Sequence, residues 1–270
     1  MRTLRTVLYL FTLLLLATAI KAQVRSQVIQ GEELENFLKK AEIVSAKTLS
    51  IGITVPRKVT MVLNGETRYG VFKSIDEYKA VMRFDDGRVD ANFQDSWKGE
   101  IAAYEIDKII GLGMVPATVE KTYKGETGSV QFWVDSIMSE AEHRKNKVVS
   151  PNPVTFNELM YKTRLFDNMV YNTDRNLQNL LITKEWEVIL IDHSRAFRPQ
   201  DMLKSPKDLE KFSRSLLEGI GKLTLQNLTE KTGKYLPKNQ IEGLLKRRDQ
   251  ILALAKKTAQ DKGEGVAYFQ

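Results

Sequence analysis

The hydrophobic pattern changes character near residue 137, and that change limits the architecture more than any other feature. Before it, strand signals dominate. Lys58-Val59-Thr60-Met61-Val62-Leu63 alternates, Asn64-Gly65 turns, and Arg68-Tyr69-Gly70-Val71-Phe72-Lys73 returns, the pattern of a tight hairpin. Residues 117–119 and 128–134 read as two further strands. One core helix interrupts them over 96–110, with Ile101, Ala102, Ile106, Ile109 and Ile110 inward and Gly111 and Gly113 as the stop. A leading helical segment is predicted over 23–48, where Glu33, Leu34, Phe37, Leu38 and Ala41 recur at helical spacing.

After residue 137 the order inverts. Residues 156–171 form an amphipathic helix, Asn172-Thr173-Asp174-Arg175-Asn176 a polar loop, and 179–183 and 187–191 two short strands. From residue 208 the pattern is helical, with Ile241, Leu244, Leu245, Ile251, Leu252, Leu254 and Ala255 on one face. Strands with one helix, then helices with one hairpin, predict an α+β fold in two lobes: a small strand-rich N-lobe over 49–136 and a larger helical C-lobe over 137–270.

The N-terminus has the three zones of a secretory signal. Arg2 and Arg5 open it, residues 7–17 are almost wholly apolar, and Ala17-Thr18-Ala19 and Ile20-Lys21-Ala22 offer small-residue exits. The apolar run is shorter than the roughly 20 residues a spanning helix needs. The expectation is a signal peptide over 1–22 and a folded part outside the cytoplasm, periplasmic or extracellular, with no membrane span once the leader is removed. An uncleaved anchor would leave the rest of the chain outside as well.

The chain has no cysteine, so a buried core must hold it together without disulfides. That composition is more in keeping with a bacterial envelope than with a eukaryotic secretory route. Three of the seven excess positive charges, on Arg2, Arg5 and Lys21, lie in the leader, which leaves +4. The basic residues are dispersed, without a run interleaved with aromatics, so nucleic acid is not an expected partner. Two histidines without cysteine do not make a zinc site. His143 falls in a charged, exposed-looking stretch, Trp97, Trp133 and Trp186 read as packing residues, and Arg247 and Arg248 read as a solvated helix face.

The residues that carry chemistry lie between 174 and 192. Asp174 sits in the loop after a helix, Asn179 follows five residues later at the start of the hairpin, and Asp192 ends it. A tight hairpin brings its ends together, so Asn179 and Asp192 should lie side by side. An amide and a carboxylate, completed by water and phosphate oxygens, suit Mg²⁺ or Mn²⁺. Phosphoryl transfer needs such an ion and a carboxylate near the attacking hydroxyl, and protein kinases space these residue types in this way. Each residue alone also fits a solvated loop, with Asp174 and Arg175 pairing locally and Asp192 turning the chain. The joint arrangement favours the metal reading.

Three blocks of sequence resemble one family. They are Tyr69-Gly70-Val71-Phe72-Lys73; Gly99-Glu100-Ile101-Ala102-Ala103-Tyr104-Glu105-Ile106-Asp107 with Val115-Pro116; and Phe166-Asp167-Asn168 through Asp174-Arg175 with Ile191-Asp192-His193-Ser194-Arg195-Ala196-Phe197. In order and spacing they resemble the atypical kinases of the phosphatidylinositol-kinase-like group, nearest the secreted Golgi casein-kinase and four-jointed kinases. The resemblance covers about residues 50–200. It implies a kinase-like fold with ATP and Mg²⁺ or Mn²⁺ as cofactors. It implies Lys73 on the nucleotide phosphates, paired with Glu100; Asp174 as the base for the acceptor hydroxyl; Asn179 and Asp192 as metal ligands; and a phosphate-covering loop at Gly52. Arg175 would brace the catalytic loop.

The chain departs from the family in three places. Asn176 stands where relatives often have histidine, His193-Ser194 follows the metal aspartate in place of Phe-Gly, and the loop at 50–54 holds a single glycine. The expected activity is metal-dependent phosphate transfer from ATP to a hydroxyl acceptor on a protein, sugar or lipid. The alternatives are a catalytically inactive nucleotide-binding or interaction protein on the same fold, and an AMP transferase.

Overall fold

A computed structural model describes residues 27–49, 55–84, 87 and 89–270. The signal segment and the loop with Gly52 lie outside the described residues.

Helix α1 (Glu32–Lys40) opens the fold and buries Leu34, Phe37 and Leu38. Its acids fall in the first turn and its lysines in the last, the arrangement that complements the helix dipole. Helical structure therefore covers only part of the predicted 23–48 segment. The chain leaves the helix at Ala41, and Glu42–Thr48 becomes strand β1 at the edge of the main sheet. That strand is mostly exposed, so it lacks the alternation that would mark it in sequence.

Strands β2 (Arg57–Leu63) and β3 (Glu66–Lys73) form the hairpin predicted from Asn64-Gly65, with Leu63 opposite Glu66 and Arg57 opposite Phe72. A second hairpin follows, β4 (Asp76–Arg83) and β5 (Val89–Ser96). Helix α2 (Trp97–Ile110) comes next, capped by the Ser96 side chain and ended by Gly111 in the left-handed conformation. Strands β6 (Thr118–Tyr123) and β7 (Glu126–Phe132) complete a five-stranded antiparallel sheet in the order β1-β2-β3-β7-β6. Val59, Met61, Phe72, Val119 and Val130 face the core against Ala102, Ala103 and Ile106 of α2.

The helical part begins with the short strand β8 (Met138–Ser139) and α3 (Glu140–Lys145), then α4 (Pro153–Val170), whose proline at N1 and Asn152 cap fix its start. A 3₁₀ turn (Leu177–Asn179) leads into β9 (Leu180–Ile182) and β10 (Val188–Leu190), which form a three-stranded sheet with β8. After β11 (Phe212–Ser213) come α5 (Arg214–Gly221), α6 (Leu225–Thr232), α7 (Lys238–Lys262) and α8 (Glu264–Ala267). The terminal strand β12 (Tyr268–Phe269) pairs in parallel with β11. The fold is α+β, strand-rich and then helical, as the pattern predicts. Among the described residues no helix is long and apolar enough to cross a membrane.

Two surface expectations are corrected. Arg247 is fully buried and donates to the carbonyls of Met169, Arg198 and Gln200, so it staples α7 to the segment after the site. Its neighbour Arg248 bonds the Leu223 carbonyl. His143 is only partly exposed. Its Nδ1 lies 2.8 Å from Glu140 and its ring packs against Phe156 and Trp186. Arg247 is covered by carbonyls from distant segments and the His143 ring by Phe156 and Trp186, which a local charge pattern does not register.

Candidate functional site

The last residue of β3 and the first turn of α2 meet at one ion pair. Lys73 Nζ lies 2.5 Å from Glu100 Oε1 and 2.7 Å from Asp192 Oδ1. Burial alone would push the Lys73 ammonium down, but Asp192 and Glu100 outweigh it and hold its pKa above the ordinary lysine value. Burial likewise favours neutral Glu100, and it is outweighed by Lys73 and by His193, so the carboxyl sits far below its usual range.

Gly99 makes this meeting possible. A Cβ there would come within 2.5 Å of the His193 carbonyl oxygen, so only glycine lets α2 approach the strand end that carries Asp192. The backbone N–H of Ser96 donates to the Ser194 carbonyl at 2.9 Å, closing the same contact. At the other end of α2, buried Asp107 accepts the backbone N–H groups of Gly113, Met114 and Val115. The helix that carries Glu100 is thereby tied at both ends.

The β9–β10 hairpin brings Asn179 and Asp192 together, as its length predicts. Asn179 Nδ2 lies 3.3 Å from Asp192 Oδ2 and 3.4 Å from the Asp174 carbonyl. Asp192 adopts φ 61°, the left-handed region that aspartate tolerates better than most residues. Ser194 Oγ donates to Asp192 Oδ1 at 3.2 Å. Asn176, directly after Arg175, caps the 3₁₀ turn by accepting the Gln178 N–H.

Arg175 braces the loop. Its guanidinium contacts the Asp167 carboxylate at 2.9–3.2 Å, the Asn179 carbonyl at 3.0 Å, the Ile191 carbonyl at 2.6 Å and His193 Nε2 at 2.8 Å. One side chain thus joins α4, the loop before β9 and the strand end. His193 is fully buried, and burial lowers its pKa. The neutral ring accepts from Arg175.

Asp174 is the most open member of the set. Its side chain is 42 % exposed, and its Oδ2 forms an ion pair with Arg195 Nη1 at 3.2 Å. Arg195 also donates from Nε to Asp95 of β5 at 3.0 Å. Neither a role for Arg195 or Asp95 nor the β4–β5 hairpin is among the features expected from sequence. Its sequence signals are an Asp86-Gly87 turn and partial alternation before it. The pairing across 100 residues has no local signal.

Lys73, Glu100, Asn179 and Asp192 therefore converge, with Asp174 on the adjoining loop. The expectation for Gly52 lies outside the described residues. Among those described, no cluster of three or more histidine, aspartate or glutamate side chains forms a metal cage. Asn179 and Asp192 would leave most of a cation's shell to water and phosphate.

No protein-family model matches the chain, and no curated protein matches it in sequence. Solved structures do. Hydra Fam20, solved with sugar, superposes with TM-score 0.64 over 92 % of this chain and 95 % of its own, at 14 % identity. The Golgi casein kinase with Mn/ADP bound gives TM-score 0.58 over 87 % and 78 %, at 16 % identity. The Helicobacter pylori proinflammatory kinase CtkA gives 0.51 over 85 % and 98 %, at 13 % identity. At these identities the likeness is one of fold: the chain has the kinase-like fold of these proteins.

Proposed function

We propose that this protein is an exported, metal-dependent phosphotransferase that moves the γ-phosphoryl group of ATP to a hydroxyl acceptor. The observation that carries the reading is Lys73, held between Glu100 and Asp192, with Asn179 beside Asp192. A lysine clamped by two acids at the end of a hairpin is costly to build for stability alone. It is well suited to a nucleotide whose phosphates need both a cation and a metal.

The charge balance fits a divalent ion. Among the described residues, Asp95, Glu100, Asp174 and Asp192 form lysine or arginine ion pairs with two cations, Lys73 and Arg195. The formal surplus of these four acids over the two cations is two negative charges, and the candidate ligand atoms of Asn179 and Asp192 are hard oxygens, which suit Mg²⁺ or Mn²⁺. Asn179 and Asp192 would hold the ion, which when bound neutralises charge on the phosphates. The Mn/ADP in the Golgi casein kinase supports the same pairing of nucleotide and metal.

The chain's own groups then have defined tasks. Lys73 orients the α- and β-phosphates, and Glu100 aims Lys73. The Asp174 carboxylate accepts the proton of the acceptor hydroxyl as its oxygen bonds the γ-phosphorus and ADP leaves. The kinship with the phosphatidylinositol-kinase-like group rests on the three sequence blocks, and export rests on the leader.

Incubation of purified protein with Mn²⁺, an envelope extract and ATP labelled on either the γ- or the α-phosphate tests the reading. Label transferred from the γ-position supports it. Transfer only from the α-position would make the protein an AMP transferase, and binding of nucleotide without any transfer would make it a nucleotide-binding scaffold.

A further inference from the structure

We propose that Arg195 positions Asp174 for proton acceptance and that the β4–β5 hairpin, through Asp95, holds Arg195 in place. The inference rests on the phosphotransfer reading and extends it to residues outside the predicted set. Arg195 Nη1 lies 3.2 Å from Asp174 Oδ2, and Arg195 Nε lies 3.0 Å from Asp95 Oδ2. Asp95 is 2 % exposed, shielded from solvent by the fold, whereas the Asp174 side chain is 42 % exposed. The guanidinium is seated near the Phe93 ring, 5.3 Å from its centroid, and Phe93 is also buried. A planar cation between two carboxylates and beside an aromatic ring has few alternative orientations.

The backbone repeats the connection. The Arg195 carbonyl accepts both the N–H and the Oγ1–H of Thr173, the residue before Asp174, at 3.4 and 3.0 Å. Three residues on, Arg198 is buried and paired with Asp90 of the same hairpin at 2.7 Å. The Gln94 side chain bonds the Ala196 carbonyl at 3.0 Å. The hairpin thus grips the segment 195–198 at three points. It also joins Lys73 to the start of the Glu100 helix in the chain. One element reaches the lysine, the glutamate and, through Arg195, the base.

Release of labelled phosphate from γ-labelled ATP with Mn²⁺, with water as acceptor, tests the role. Arg195→Ala should lower kcat about 100-fold and leave KM for ATP within about twofold. Added guanidinium should restore part of the lost rate, and Arg195→Lys, which reaches one carboxylate at a time, should fall between. Asp95→Asn should lower kcat less, with KM unchanged, and covers the case in which Arg195→Ala fails to fold. In nucleotide-free protein, the carbon-13 carboxyl signal of Asp174, identified by its loss in Asp174→Asn, should shift in Arg195→Ala. An Arg195→Ala variant with wild-type kcat, a loss that guanidinium does not relieve, or an unmoved Asp174 signal overturns the inference. Wild-type protein that neither binds nor turns over ATP overturns the phosphotransfer reading and this role with it.

Discussion

The backbone N–H of His193 donates to Glu100 Oε2 at 3.0 Å, while the other oxygen of the same carboxylate holds Lys73 at 2.5 Å. Glu100 therefore connects the strand-rich and helical parts through one buried group. The residue that pairs with the lysine also holds the chain beside Asp192, so the placement of the two parts and the geometry of the site depend on one side chain.

Gly99→Ala should break that alignment. Its methyl group would stand 2.5 Å from the His193 carbonyl oxygen, a backbone atom that cannot rotate away. Overpacking of this kind costs about 1–3 kcal/mol. Urea denaturation should show the loss, and ATP affinity should fall as well because Asp192 moves away from Lys73.

Removal of the cation has a different signature. Lys73→Met leaves Glu100 buried opposite an apolar side chain, and breaking a buried pair from one side costs about 3–5 kcal/mol. Lys73→Met combined with Glu100→Leu should recover much of the stability while ATP binding stays weak. Chemical denaturation and nucleotide titration of the single and double variants check this. Equal stability of the two would contradict it.

The pKa shifts set the pH limits of the nucleotide-free protein. The Glu100 pKa is lowered in the fold, so its contribution is present above its ordinary value of 4.5 and is lost as pH falls below it. The Lys73 pKa is raised, so its contribution is present below 10.5 and is lost as pH rises further. The lowered pKa of His193 adds acid sensitivity that begins near 6.5. Urea midpoints should form a plateau from about pH 7 to 10. Glu100→Gln should flatten the decline below 4.5.

Asp174→Asn should separate binding from chemistry. The amide keeps the size of the carboxylate but cannot accept the acceptor's proton. Nucleotide affinity should remain within about twofold, whereas transfer should fall by roughly 100-fold or more, in line with the weight of a positioned base. Full transfer by the variant would remove Asp174 from the role of base.

Much of this was legible in the sequence for reasons that are local. The Asn64-Gly65 hairpin, the glycine-stopped helix at 97–110 and the short strands around 179 and 192 each leave a periodic signal, and hairpin closure alone places Asn179 against Asp192. Lys73 and Glu100 were legible only through resemblance, because no local pattern relates a strand end to a helix 27 residues away. Strand β1 is not legible because its exposed residues do not alternate. The partners of Arg195, Arg198 and Arg247 are not legible either, because each is held by carboxylates or carbonyls far along the chain.

If Asp192 and Asn179 complete a metal–nucleotide site facing Lys73, calorimetric titration of ATP with Mn²⁺ will register it. Binding should be saturable, need Mn²⁺ and disappear in an Asp192→Asn variant that remains folded. Absence of binding to the wild-type protein, or undiminished metal-dependent binding to the variant, would contradict it.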